Sequence, residues 1–275
     1  MTLETIVIVG MGEIGEALYT VFQEKAQHNY KIYCADLIEE KYARNKGLIP
    51  SHVDFMHICI PCVEKDDFIA SVLMWHGMLN PTLTIINSTV QPGTTVEIWK
   101  LGVRNIVHSP VRGRHSDGHD LVRDIKFWTK YVGGEPEACL QAEAHFKKLG
   151  LKTQILGSST ETELAKLFST TYPALMIAFF QEAHRISKAY DADITRTMEM
   201  TCDDHRVEGN KPPFYPDVIG GHCLIPNVEL LNCGLDSPML NAILQSNILR
   251  VGELEDSEFR VEVEKVKEKI KNENH

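Results

Sequence analysis

Two glycine-rich stretches carry the chemistry of this chain. Gly220-Gly221-His222-Cys223 offers a thiol on a turn, and Gly10-Met11-Gly12-Glu13-Ile14-Gly15 offers a loop of backbone N–H groups. A thiolate can hold a carbonyl carbon covalently. A glycine turn that opens a helix can hold a pyrophosphate, and with it a dinucleotide. Together they imply a thiol that grips a carbonyl while a nicotinamide takes hydride.

The cradle stands in its full context. Thr5–Val9 is a short β-branched apolar run, as a buried parallel strand should be. A helical pattern follows at Ala17, Leu18, Val21 and Phe22. Gly10 permits the tight turn, Gly12 the approach of pyrophosphate, and Gly15 the close packing of helix on strand; Glu13 and Ile14 complete the loop. A second strand ends at Asp36, 21 residues after Gly15. An acid there accepts ribose hydroxyls and repels a 2′-phosphate, which predicts NAD rather than NADP as cofactor.

Further strand patterns at 55–60, 83–86, 105–107 and 131–132 alternate with helical ones such as 66–75 and 94–100. Alternation of this kind predicts an α/β fold, a Rossmann-type doubly wound parallel sheet with ligands beyond the carboxyl ends of its strands. Pro61 and the run Asn87-Ser88-Thr89 fall at two such ends, which places Pro61, Ser88 and Thr89 beside the nicotinamide. Cys59 and Cys62 lack the second Cys/His pair that a zinc site needs, so no metal is expected. His108, His115 and His119 gather with Arg112 and Arg114 in a basic stretch, which reads equally as an anion receptor or a solvated loop.

The second half reads as all-helical. Thr160-Glu-Thr-Glu163 has the form of a capping box ahead of a long apolar-periodic stretch. A helix over 160–190, apolar on more than one side, suits a homodimer seam, and Pro173 should kink it. Lys166 and Thr170, four apart, share one face. Shorter helices are expected near 227–233 and 237–250. In the charged tail Phe259, Val263, Val266 and Ile270 form a narrow seam that predicts a helix docked on its own body, with a partner-binding helix as the alternative. The expected domains are an NAD-binding Rossmann domain over 1–157, a helical dimerisation and substrate domain over 158–252, and a charged C-terminal helix over 253–275.

Composition sets limits. A net charge of −10 argues against nucleic acid as a partner. No apolar run reaches the roughly 20 residues that span a bilayer, and no signal-peptide pattern opens the chain, so no membrane partner and a cytoplasmic location are expected. Seven irregularly spaced cysteines suit reduced thiols.

With these segments in hand the chain resembles the UDP-glucose/GDP-mannose dehydrogenase family over roughly residues 5–250. Four pieces carry the likeness in order: the glycine turn Gly10–Gly15; Asn87-Ser-Thr-Val-Gln-Pro-Gly-Thr-Thr95; Glu163-Leu-Ala-Lys-Leu167; and Gly220-Gly-His-Cys-Leu-Ile-Pro226. The second and fourth are specific; the first and third are shared with the wider β-hydroxyacid dehydrogenases. The resemblance implies a helical dimer domain and a four-electron oxidation through a cysteine thiohemiacetal and thioester. It implies Cys223 as nucleophile, Lys166 as the cation beside the oxyanion, Thr89 as the group that orients a water or hydroxyl, and Arg206 as an arginine offered to the sugar across the dimer. His222, next to the thiol, joins Thr170 and Asn227 as a candidate for substrate contact.

The chain departs from the family pattern where carboxylates should stand. Thr170 replaces an asparagine, Asn227 an aspartate, and Val111 and His115 two acids. The likeness is to a short member that ends after the connecting helix, without the third, nucleotide-holding domain. The resulting expectation is an NAD-dependent oxidoreductase acting on an alcohol or aldehyde of a sugar-like or small anionic substrate. The alternatives are a two-electron enzyme of β-hydroxyacid dehydrogenase type using Lys166, and a non-catalytic NAD-binding sensor or scaffold subunit.

Overall fold

The computed structural model describes residues 3–26, 30–37, 49–113, 120–220 and 223–273. They form two compact units, Met1–Leu167 and Phe168–His275.

The first unit is built on seven strands: β1 (Glu4–Val9), β2 (Tyr30–Ala35), β3 (Val53–Ile58), β4 (Pro81–Ile86), β5 (Ile106–His108), β6 (Lys130–Gly134) and β7 (Thr153–Gly157). Their order is β2-β1-β3-β4-β5-β6-β7. The chain therefore reverses direction across the sheet at β1/β3, the switch point where ligands sit in such folds. Helices α1 (Glu13–Ala26), α2 (Lys65–Leu79), α3 (Thr94–Lys100), α4 (Leu121–Phe127) and α5 (Pro136–Lys148) flank it. Alternation along β1 distributes its side chains to two cores. Ile6 and Ile8 pack with Leu18, Phe22, Cys139 and Phe146 on one face. Val7 and Val9 pack with Phe68, Val72, Trp75 and Ile98 on the other. The Rossmann-like, doubly wound α/β expectation thus holds.

Two details differ from it. The expected all-parallel sheet is broken at β6, which runs antiparallel to β5 through Val107↔Gly134 and His108↔Gly133. Apolar periodicity reports burial, not direction, so the reversal left no mark on the pattern. The seventh strand is mostly exposed and was not anticipated for the same reason.

Helix α6 (Ser159–Ala189) carries the chain from the first unit into the second. Its cap lies two residues earlier than expected. The Ser158 N–H donates to Glu161 Oε2 at 2.5 Å, and the Glu161 N–H donates to Ser158 Oγ at 3.3 Å. This is the reciprocal pairing of a capping box, made by Ser158 and Glu161 instead of Thr160 and Glu163. Glu163 is engaged elsewhere, as shown below. The helix continues through Pro173.

The second unit contains the rest of α6, then α7 (Ile194–Thr197), α8 (Glu199–Glu208), α9 (Leu224–Asn232), α10 (Pro238–Glu253) and α11 (Ser257–Glu273). Val266 and Ile270 of α11 are buried against Phe180, Ile194, Met198 and Cys202. The charged tail is therefore a helix docked on its own unit, as its apolar seam predicted. Arg250 anchors the surroundings. It is fully buried and donates to the Pro216 and Gln181 carbonyls at 2.7 and 3.0 Å. Among the described residues no helix is long and apolar enough to cross a membrane.

Candidate active site

The glycine turn follows β1 directly. Gly10 adopts a φ of 91°, and a Cβ there would stand 2.8 Å from Ile60 Cγ2. A Cβ on Gly15 would stand 2.0 Å from the Gly10 carbonyl oxygen. A Cβ on Gly12 would meet nothing within 4 Å. Two glycines are thus demanded by the fold, and the third leaves open space beside the first turn of α1. Asp36, at the end of β2, accepts a hydrogen bond from the Met11 N–H on Oδ2 at 2.7 Å. Glu13 is exposed and Ile14 half-buried, at the start of α1.

The neighbouring strand ends close around this turn. Pro61 is exposed after β3. Ser88 is buried, and its hydroxyl donates to the Ile60 carbonyl at 2.6 Å, so it ties the ends of β3 and β4 together and presents no free hydroxyl. Thr89, the next residue, is half-buried.

Glu163 holds the rest of this segment. It is fully buried on the first turns of α6, and its carboxylate accepts from the Gly93 N–H at 2.6 Å, the Thr95 N–H at 2.9 Å and the Thr95 hydroxyl at 2.6 Å. Those groups open α3, which has no side-chain cap of its own. Glu163 therefore caps a second helix from outside, satisfying donors that burial would otherwise orphan. Burial raises its pKa against the opposing pull of these donors. Three residues on, Lys166 Nζ donates to the Val111 carbonyl at 2.9 Å.

Beneath these segments runs a buried polar network that sequence reasoning missed. Lys130, at the start of β6, donates to Asn87 Oδ1 at 3.0 Å, to the Ser109 carbonyl at 2.5 Å and to the Pro110 carbonyl at 3.2 Å. Burial pushes its pKa down to about 7, although three acceptors around three N–H bonds match the ammonium form. The Asn87 amide lies 3.1 Å from His57 Nδ1, and His57 Nε2 lies 3.0 Å from His145 Nε2. His108 makes contacts of its own, at 2.9 Å to the Thr162 hydroxyl and 3.1 Å to the Ser88 carbonyl. The expected basic cluster is thereby corrected in part. His108 is a buried neutral group of β5, with its pKa pushed by burial to about 3. Arg112 stacks on Trp128, 4.6 Å from the ring centre. His115, His119 and Arg114 lie outside the described residues, as does His222. The signal that hinted at Lys130 was a lone lysine heading an apolar strand pattern.

Cys59 is buried, and its thiol is pushed up to about 12. Cys62 is half-buried, and burial raises its thiol pKa as well.

In the second unit Cys223 is half-buried and is the N-cap residue of α9, which begins earlier than the expected 227. Free N–H groups at a helix start favour an anion. The Asn227 N–H donates to the Cys223 carbonyl at 3.1 Å, closing the first turn. The Asn227 side chain donates to Thr170 Oγ1 at 3.1 Å. The two positions where an asparagine and an aspartate were expected are therefore partners of each other. Arg206, on α8, pairs with Asp203 at 3.0 Å and Glu199 at 2.5 Å on its own helix.

Residues 160–251 match the UDP-glucose/GDP-mannose dehydrogenase family, central domain. The chain resembles this family, as its four motifs imply. A UDP-N-acetyl-D-mannosamine dehydrogenase of Pyrococcus horikoshii is 26% identical over 54% of this chain and 37% of its own length. A UDP-glucose 6-dehydrogenase of Streptococcus pneumoniae is 28% identical over 78% of this chain and 60% of its own. The chain thus matches less than two thirds of either relative's length. The solved structure of the P. horikoshii UDP-D-ManNAc dehydrogenase superposes with a TM-score of 0.69 at 19% identity, covering 88% of this chain and 68% of that one. That likeness is one of fold.

Proposed function

We propose that this chain is an NAD-dependent dehydrogenase that oxidises the CH–OH group of a sugar-nucleotide-like, anionic substrate. The observation that carries this reading is the glycine turn: closed at Gly10 and Gly15, open at Gly12, and braced by Asp36. The family match over the helical half supports it.

The residues fit the cofactor. N–H groups at the start of α1 would face the pyrophosphate beside Gly12. The acid at the end of β2 suits a ribose diol, and Thr89 stands where the nicotinamide side is expected. Bound NAD would supply the hydride acceptor. Within this reading Lys166 balances the negative charge that develops on the substrate oxygen. Thr89 orients a hydroxyl or water. Cys223 attacks the aldehyde carbon, forming a C–S bond as the carbonyl oxygen takes the electron pair; loss of hydride from that adduct leaves a thioester. Arg206 sits in exposed ion pairs, which exchange readily for a ligand's anion.

The test is Gly12→Val. A Cβ there meets nothing within 4 Å, so thermal stability should stay within about 2 °C of wild type, while NAD affinity by calorimetry falls about a hundredfold. Equal NAD affinity in the two proteins would overturn the reading.

A second reading is favoured by one observation. Asn227 is an amide bonded to Thr170, and Val111 is a buried alkyl group, so neither can serve as the carboxylate base of thioester hydrolysis. A two-electron oxidation that uses Lys166 alone needs no such base.

A homodimer through α6 belongs to the same proposal. Phe168, Tyr172, Phe179 and Ile186 are 56, 57, 59 and 52% exposed, and their spacing of four, seven and seven lines one side of the helix. A second copy covers such a stripe at low cost. Phe179→Glu is expected to weaken self-association by about 2 kcal/mol, roughly thirtyfold, in sedimentation equilibrium. An unchanged mass distribution would remove α6 as the seam.

A further inference from the structure

We propose that Lys130 is a positioning residue of this site: its ammonium fastens the Asn87–Thr89 turn to the Ser109–Val111 segment, and so sets where the Lys166 amine stands. The inference rests on the reading of Thr89 and Lys166 as working groups.

Lys130 is only 4% exposed, and none of its atoms lies within 4 Å of a Cβ placed on Gly12. Its three donors go to three acceptors on two different strand ends, Asn87 after β4 and Ser109 and Pro110 after β5. Asn87 begins the run that leads through Ser88 to Thr89. Pro110 leads directly to Val111, whose side chain is buried and whose carbonyl receives the Lys166 amine. One ammonium thus joins both segments, and the second of them holds the other lysine.

Packing alone does not account for this choice. The Lys130 Nζ also lies 5.3 Å from the centre of the Phe146 ring. The three acceptors of its ammonium are one amide oxygen and two main-chain carbonyls. A buried cation compensated by an amide and two carbonyls costs more than methionine would, unless the geometry it imposes is used. The resemblance adds a reason. Val111 stands where a glutamate is expected, and its main-chain carbonyl receives the Lys166 amine; a carbonyl is only as well placed as its backbone.

The experiment compares Lys130→Met, which keeps the volume and removes the donors, with Lys130→Arg, which keeps charge and donors. In Lys130→Met, amide hydrogen exchange should quicken about tenfold at 87–92 and 109–113 and stay unchanged in β1. With NAD and UDP-glucose as probes, the rate of the first NADH release should fall about thirtyfold with half-saturation within about threefold, and Lys130→Arg should recover most of both. A purely packing role predicts that methionine serves as well as lysine and arginine does not. Wild-type exchange at both segments in Lys130→Met overturns the proposal. Should wild-type protein turn over nothing, the dehydrogenase reading fails while the exchange comparison still decides Lys130. Should Lys130→Met not fold, Asn87→Ala removes one acceptor of the ammonium along with the amide's contacts to His57 and Ile85, and unchanged exchange at 87–92 in that variant overturns the proposal equally.

Discussion

Acidification below pH 6.5 is expected to destabilise the first unit by about 3 kcal/mol per pH unit, about 1.4 from each of His108 and His145, with His57 adding in the same direction. Burial holds His57 well below its ordinary pKa, and His108 and His145 near 3. In the unfolded chain all three take protons near 6.5. Between these limits the unfolded state binds more protons, so stability rises with pH across the window. It is complete above pH 6.5 and is lost as the pH falls toward 3. The contact between His57 and His145 reinforces the sign, because two protonated rings at 3.0 Å would have no acceptor between them. All three tryptophans, Trp75, Trp99 and Trp128, belong to this unit, so urea titrations followed by their fluorescence report on it alone. His145→Phe, inside an aromatic cluster with Phe55 stacked at 3.8 Å, should flatten the slope by about 1.4 kcal/mol per pH unit whatever its offset. A stability that stays level between pH 6.5 and 4 would refute the neutral-histidine core.

The second large effect concerns turnover. Mixing the protein with NAD and its substrate is expected to give a burst of two NADH per chain, followed by steady turnover slower by about a thousandfold or more. In the proposed four-electron reading two hydrides would leave on the way to a Cys223 thioester, whose hydrolysis then needs a base. Of the residues at the three expected acid positions, Asn227 has its amide engaged with Thr170 and Val111 is a buried alkyl group, while His115 lies outside the described residues; none is a carboxylate. The acyl-enzyme should accumulate and appear by mass spectrometry as an adduct on Cys223. Cys223→Ala should release one NADH per substrate and leave aldehyde. A wild-type stoichiometry of one NADH per substrate, with no burst and no adduct, would instead establish the two-electron reading.

How far the sequence reached can be judged from single residues. Gly10, Gly15 and Asp36 were legible because each answers a local demand: a positive φ, a close approach of helix to strand, an acid at a strand end. The helix in the charged tail was legible from Val263, Val266 and Ile270, since a 3.6-residue period shows in any amphipathic helix. Glu163 was legible as an acid near a helix start, yet its partners are Gly93 and Thr95, about 70 residues away, and the nearer capping role belonged to Glu161. His108 looked like part of a basic loop because flanking charges suggest exposure, whereas its strand neighbours bury it.

What the chain determined by itself is periodic or local: strand and helix patterns, the cradle, the thiol on its turn, and the family motifs. Tertiary structure alone decided that β6 runs antiparallel, that Thr170 and Asn227 satisfy each other, and that Lys130 joins two strand ends. The physical reason is one of range. Periodicity and turn chemistry act within a few residues and leave a trace in spacing. A buried polar group, by contrast, must find its partner wherever the fold brings a complementary atom, and that pairing has no fixed separation along the chain.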